Sequence, residues 1–346
     1  MVLALAKELA LRKVELSDQV VETIYFGGGT PSLLSITEIQ FLISTVYENY
    51  NIAPHPEITL EANPDDLSYE NIQKLAASPI NRLSIGIQSF FDDDLKLMNR
   101  AHNATEAQKS LEYATRYFDN ISIDLIYGIP GMSNSKWKEI IKIAIDFKIP
   151  HISSYALTVE PKTALKKLIA TGKIAAPTDD AASEHFEILV ATLEKEGFVH
   201  YELSNFGKEN YFSKNNSSYW LGKKYLGIGP SAHSYNGTSR SWNVSNNTLY
   251  IKSIETDVLP NEIENLSLTD QYNEYVMTGL RTMWGISIPK VATEYGSNYK
   301  NYLLKQAQKF IDDGLLALDN NVIKTTNKGK FLCDGIASDL FMLNLE

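Results

Sequence analysis

Along the first 150 residues, short apolar runs give way repeatedly to stretches whose apolar positions recur every three or four residues. Thr23–Phe26, Glu57–Asn63, Arg82–Ser89, Ile121–Tyr127 and His151–Thr158 have the length and β-branched content of strands. Between them the spacing predicts helices from about Thr37, over Ser68–Ala77, Asp92–Asn99 and Thr105–Tyr117, and over 135–147, with Ser35 or Thr37 as the first cap. Strands alternating with such helices make βαβ units and a parallel sheet. A further helix is expected over 183–196. The segment 200–250, rich in Asn, Ser, Tyr and Gly, is read as mostly loops lying over the barrel.

The strands share a second pattern. Each ends in small or polar residues: Gly27–Thr30, Glu61 and Asn63, Gln88 and Ser89, Asp124, then Tyr155 and Ala156. Ligands of α/β barrels and open α/β sheets bind at that C-terminal edge. The run Gly27-Gly28-Gly29 after Thr23–Phe26 leaves backbone groups bare for a small polar ligand. It is neither a Walker loop nor a dinucleotide fingerprint, whose spacings differ.

Near the C-terminus, helices over Gln271–Met283 and 299–313 precede Gly314–Leu318, the turn Asp319-Asn320-Asn321 and Val322–Thr326, with a last helix from Lys328. Helices followed by a hairpin describe a winged helix. Asp312, Asp313 and Asp319 and the lack of a basic cluster favour packing or protein docking over DNA binding. The expected domains are a partial barrel over 1–200, a loop-rich extension over 201–262 and a winged-helix-like α+β domain over 263–346.

Composition narrows the setting. A net charge of -10 over 346 residues disfavours nonspecific nucleic-acid binding. No run approaches a membrane span, Lys7 and Glu8 interrupt the apolar start, and the chain reads as cytoplasmic. The single cysteine, Cys333, reads as a buried small hydrophobe and excludes a Cys-rich metal or iron–sulfur site within the chain.

The ordered stretches Tyr25-Phe26-Gly27-Gly28-Gly29-Thr30-Pro31-Ser32, Glu61-Ala62-Asn63-Pro64, Arg82–Phe90 and Ile123–Gly131 resemble the oxygen-independent coproporphyrinogen III oxidase family of radical S-adenosylmethionine (SAM) proteins. The similarity continues through Tyr201–Phe206 and Gly227–Ser234 to the winged domain. Asn215-Asn216-Ser217-Ser218-Tyr219-Trp220 with Gly229–Ser234 is closest to the haem chaperone branch, held to bind haem and pass it to haem-requiring respiratory proteins. That branch's pattern opens His-Asn-x-x-Tyr-Trp. Asn215 stands where its histidine is expected, which leaves His233 as the candidate haem ligand.

The resemblance implies an α/β fold built on a parallel (β/α)6-type radical SAM barrel, here with five strands visible and the first missing. It implies S-adenosylmethionine contacts from Gly28, Gly29, Thr30, Glu61, Gln88, Arg100, Asp124 and Ala156. Carboxylates suit the ribose hydroxyls and ammonium, and Arg100 suits the carboxylate. The family's C-x3-C-x2-C motif, which ligates a [4Fe–4S] cluster, has no counterpart here, so no cluster and no radical chemistry are expected of the chain as it stands. An N-terminally incomplete form is favoured over a degenerate member, because Leu5 and Leu9 already follow helical spacing without a cap and the cofactor edge is retained. The favoured activity is haem chaperoning. Oxidative decarboxylation of coproporphyrinogen III in porphyrin biosynthesis is the alternative, and a winged-helix regulator a third.

Overall fold

A computed structural model describes residues 1–161 and 163–343; the last three positions of the expected C-terminal domain lie outside the described residues. Strands form over the five expected runs: β1 (Val21–Phe26), β2 (Ile52–Ala62), β3 (Arg82–Gln88), β4 (Ile121–Tyr127) and β5 (His151–Ala156), with β1 and β2 starting two and five residues before their expected runs and β5 ending two residues before its own. They stand side by side in chain order, with β2 to β5 paired parallel. On β3, Leu83, Ile85 and Ile87 are buried while Ser84, Gly86 and Gln88 alternate with them on the other face. The first set belongs to the apolar layer with Leu111, Trp137, Ile140 and Leu189 of the intervening helices. The second set carries the chemistry.

Local signals set the helix starts. Ser68 accepts from Asn71 N and opens Tyr69–Ala76; Asn103 and Glu106 form a capping box at Ala104–Ala114; Ser133 caps Asn134–Asp146. The helix after Pro177 begins earlier than expected, at Asp179, where Thr178 accepts from Ala181 N.

The segment 200–250 differs most from its expectation as mostly loops. Val199–Glu202 (β6) and Asn205–Gly207 (β7) extend the main sheet, β7 pairing antiparallel to β5 and giving the order β1-β2-β3-β4-β5-β7-β6. Further on lie helices Lys214–Trp220 and Asn247–Glu255. A separate antiparallel sheet forms from His233–Tyr235 (β8), Ser239–Asn243 (β9) and Asn261–Asn265 (β10). Serine and asparagine ladders hid these strands, because cross-strand hydrogen bonding holds them rather than an alternating apolar face.

The chain divides into two compact units, one of Thr23–Thr37 with Glu57–Ser213, the other of Met1–Glu22, Glu38–Pro56 and Lys214–Glu346. The second unit contains the winged element: helices Leu268–Leu280, Ile288–Glu294 and Ser297–Asp312, with strands Ile286–Ser287 (β11), Leu316–Asp319 (β12) and Val322–Thr325 (β13) in the order β11-β13-β12. The expected turn is present, with Asn320 and Asn321 both at positive φ, as a two-residue hairpin loop requires. Cys333 is buried, as expected of a small hydrophobe.

Candidate functional site

β1, β2, β3 and β4 bring most of the expected residues together at their C-terminal ends. Gly28 and Gly29 turn the chain out of β1 at φ of 73° and 63°, and nothing lies within 4 Å of where a Cβ on either would stand. The loop therefore offers bare main chain to a ligand. Glu61, on β2, organises it: Gly28 N donates to Oε2 at 3.1 Å and the Tyr25 hydroxyl donates to Oε1 at 2.7 Å. Burial, then the Glu61 charge, pushes the Tyr25 phenol up, so it stays a donor.

Across the rim, Gln88 ends β3 at a φ of 65°, and its Nε2 lies 3.0 Å from where a Cβ on Gly86 would stand; Arg100 Nη2 lies 3.2 Å from the same point. Gly86 thus leaves the space in which these two side chains converge. Arg100 Nη2 also donates to Asn63 Oδ1 at 3.0 Å. Asp124, on β4, is close enough to Glu61 and Arg100 to feel both. Burial, reinforced by Glu61, pushes its carboxyl up to about 7, against downward pulls from the Ser153 hydroxyl, Arg100 and Arg82.

A pH dependence follows. From about pH 4, the ordinary aspartate range, up to about 7 the folded chain keeps a proton on Asp124 that the unfolded chain has released. The contribution of this group to stability is therefore greatest at low pH and declines as pH rises to about 7. Asp124→Asn should flatten that part of the profile. Urea unfolding at pH 5 and pH 8 checks it: wild type should lose stability relative to the variant at pH 8, and an unchanged difference would contradict the assignment.

Gly28, Glu61, Arg100 and Asp124 are thus joined by direct contact or electrostatics, and Gln88 Nε2 approaches the Arg100 guanidinium over Gly86. Gly29 continues the same loop, and Thr30 stands ahead of the short helical turn Pro31–Leu33. Ala156 ends β5 in register with Tyr127, at the same edge of the sheet. Sequence reasoning gave no role to Tyr25, to Asn63 as partner of Arg100, or to Ser153, which bonds Asp124 and Asn205. Strand alternation was the available signal: Ser153 lies opposite Asp124 in the register of β4 and β5.

The histidines separate by their bonding. His102 bonds Ile87 O, His151 is held between Ser122 Oγ and the Tyr201 hydroxyl, His185 accepts from Gly128 N, and His200 bonds Leu203 O. Of the six histidines, only His55 and His233 are exposed and have no ring hydrogen bond among the described residues. His233 opens β8, paired in register with Trp242, and the two rings lie 6.0 Å apart. Asn215 lies in the helix Lys214–Trp220, where Trp220 packs under the Arg281 guanidinium at 5.2 Å.

The comparisons agree with this architecture. Residues 4–144 match the Radical SAM superfamily and residues 266–332 match the HemN C-terminal domain. Coproporphyrinogen III oxidase (HemN) from Escherichia coli, a radical SAM enzyme, shares the fold with a TM-score of 0.83 at 22% identity, over 98% of this chain and 82% of that one. The class is therefore a radical SAM half-barrel with a HemN-type C-terminal domain. Heme chaperone HemW of Lactococcus lactis is 35% identical over 91% of this chain and 86% of its own length; that of Bacillus subtilis is 33% identical over 95% and 88%. The chain belongs to the HemW family of radical SAM proteins.

The superfamily implies S-adenosylmethionine and a [4Fe–4S] cluster. The rim fits the first: bare glycine backbone, two carboxylates, an amide and a guanidinium match its diol, ammonium and carboxylate. The second needs a set of thiolates, and this chain has one thiol, Cys333, buried, pushed up to about 11 by that burial, and bonded weakly to Thr325. The residues present do not fit a cluster.

Proposed function

We propose that this chain binds haem and S-adenosylmethionine and passes haem to haem-requiring respiratory proteins in the cytoplasm. The observation that carries the reading is the similarity to heme chaperones over nearly the whole of both chains. The site chemistry supports it. Glu61 and Asp124 would take hydroxyl and ammonium donors, Arg100 would pair with a carboxylate, and Gly28 and Gly29 would admit the ligand to the main chain. S-adenosylmethionine supplies a sulfonium when bound. These residues orient it and need move no proton, apart from the one that Asp124 gives up as pH rises through about 7.

His233 would ligate the haem iron. A ligand nitrogen must have a lone pair that no hydrogen bond already uses, and the exposed His233 ring meets that requirement. Asn215, in the helix Lys214–Trp220, has no ring nitrogen to offer the iron. Titrating the full chain with haem and following the Soret band tests the reading. A saturable band with one haem per chain is expected, and a spectrum indistinguishable from free haem would overturn it.

A further inference from the structure

We propose that Glu8 and Arg12 are positioning residues for His233, holding its imidazole for metalloporphyrin ligation; this rests on the haem-binding reading above. The two side chains are almost wholly inaccessible, with Glu8 at 0% and Arg12 at 2% exposure. The Glu8 carboxylate takes four donors: Arg12 Nη1 at 3.1 Å, Gly229 N at 2.8 Å, Asn243 Nδ2 at 2.7 Å and the Tyr250 hydroxyl at 2.5 Å. Arg12 in turn donates from Nη1 to Gly227 O at 2.9 Å and from Nη2 to Ser234 Oγ at 3.1 Å, while Nε and Nη2 also hold Glu15.

Four of these contacts end on the segment Gly227–Ser234 or on its partner Asn243: those to Gly227 O, Gly229 N, Ser234 Oγ and Asn243 Nδ2. Gly227 N donates to Ser234 Oγ at 3.0 Å, which closes the segment into a loop. Asn243 bridges Glu8 to Gly229 O, and its own backbone N–H bonds Ala232 O. The loop is therefore fixed at 227, 229, 232 and 234, which are the positions around His233. It also holds Ser231 at a φ of 60°, a conformation that costs energy for a residue with a side chain and persists only when its surroundings impose it.

A buried ion pair is a poor source of stability, since apolar residues of similar volume often do as well or better. What this pair supplies is a single arrangement of the loop, with each buried donor given an acceptor. Among the described residues the His233 ring makes no hydrogen bond; its place is set by the neighbouring Trp242 ring and by the backbone that Glu8 and Arg12 hold. Ligand affinity depends on such preorganisation, because a loop that must be ordered on binding lowers affinity by the cost of ordering it.

The test compares haem titrations of the full chain, with Soret position and melting temperature, for wild type, Arg12→Lys, Glu8→Gln and Val276→Ala. Arg12→Lys keeps a cation beside Glu8 but loses the fork that reaches Gly227 and Ser234 together. Val276, buried in Leu268–Leu280, lies outside the network and serves as a stability control. Arg12→Lys and Glu8→Gln should weaken haem binding at least tenfold and shift the Soret band toward that of His233→Ala. Val276→Ala should lower the melting temperature and leave both unchanged. Wild-type affinity and band position in folded Arg12→Lys would overturn the assignment while leaving haem binding intact. If wild type gives no haem band, the haem-binding reading fails and this assignment fails with it.

Discussion

Gly227→Ala is expected to abolish haem binding and to destabilise the chain by about 3 kcal/mol or more, the upper range of overpacking in a well-packed site. A Cβ there would stand 2.1 Å from the carbonyl oxygen of His233 and 2.9 Å from its backbone nitrogen. Neither neighbour can give way cheaply. Gly227 is held at both ends, its N–H on Ser234 Oγ and its C=O on Arg12, and the backbone of His233 is paired with β9. The residue that must move is the one assigned to the iron. Urea unfolding gives the stability term and a Soret titration the binding term. Near-normal haem affinity in a folded Gly227→Ala would detach the loop from the haem site.

Glu61→Ala is expected to lower S-adenosylmethionine affinity by about ten- to a hundredfold, the worth of one hydrogen bond to a charged group at roughly 1.5–3 kcal/mol. The Glu61 carboxylate holds both Gly28 N and the Tyr25 hydroxyl, so its removal releases the glycine loop and leaves a half-buried phenol without an acceptor. A loss of stability of about 1–3 kcal/mol should accompany the affinity change. Glu61→Gln, which keeps an acceptor for Tyr25, should recover most of the stability but not the affinity. Ligand-observed NMR titration separates the two effects, and equal affinities for wild type and both variants would remove Glu61 from the site.

Much of the main sheet and its rim was legible because both depend on local pattern. Leu83, Ile85 and Ile87 announce β3 by alternation, and the turn residues after each strand mark the edge where ligands bind. Partnerships across that edge were not legible. Ser153 meets Asp124 only because β4 and β5 pair in a particular register, and Asn63 meets Arg100 across 37 residues. Ser239-Arg240-Ser241-Trp242-Asn243 lacks apolar periodicity, so β9 is invisible until its ladder partners are known. The turn at Leu203 and Ser204 interrupts β6 and β7 in the same way, so their pairing was missed.

Glu8 is the sharpest case. In sequence it reads as the charge that breaks up an apolar start; in the fold its carboxylate accepts from four donors. Burial of a charge depends on donors supplied from more than 200 residues away, and no window of local sequence contains them. The same reasoning separates His233 and His55 from the other four histidines. Sequence offered six imidazoles, and only their hydrogen-bond partners show that four are committed.

The most direct test is a haem titration of the full chain beside His233→Ala and His55→Ala, since among the described residues these are the two exposed imidazoles without ring hydrogen bonds. Wild type and His55→Ala should give the same saturable Soret band, and His233→Ala should lose it or shift it with at least a tenfold weaker affinity. An unchanged band in His233→Ala, with His55→Ala also unchanged, would contradict ligation by His233.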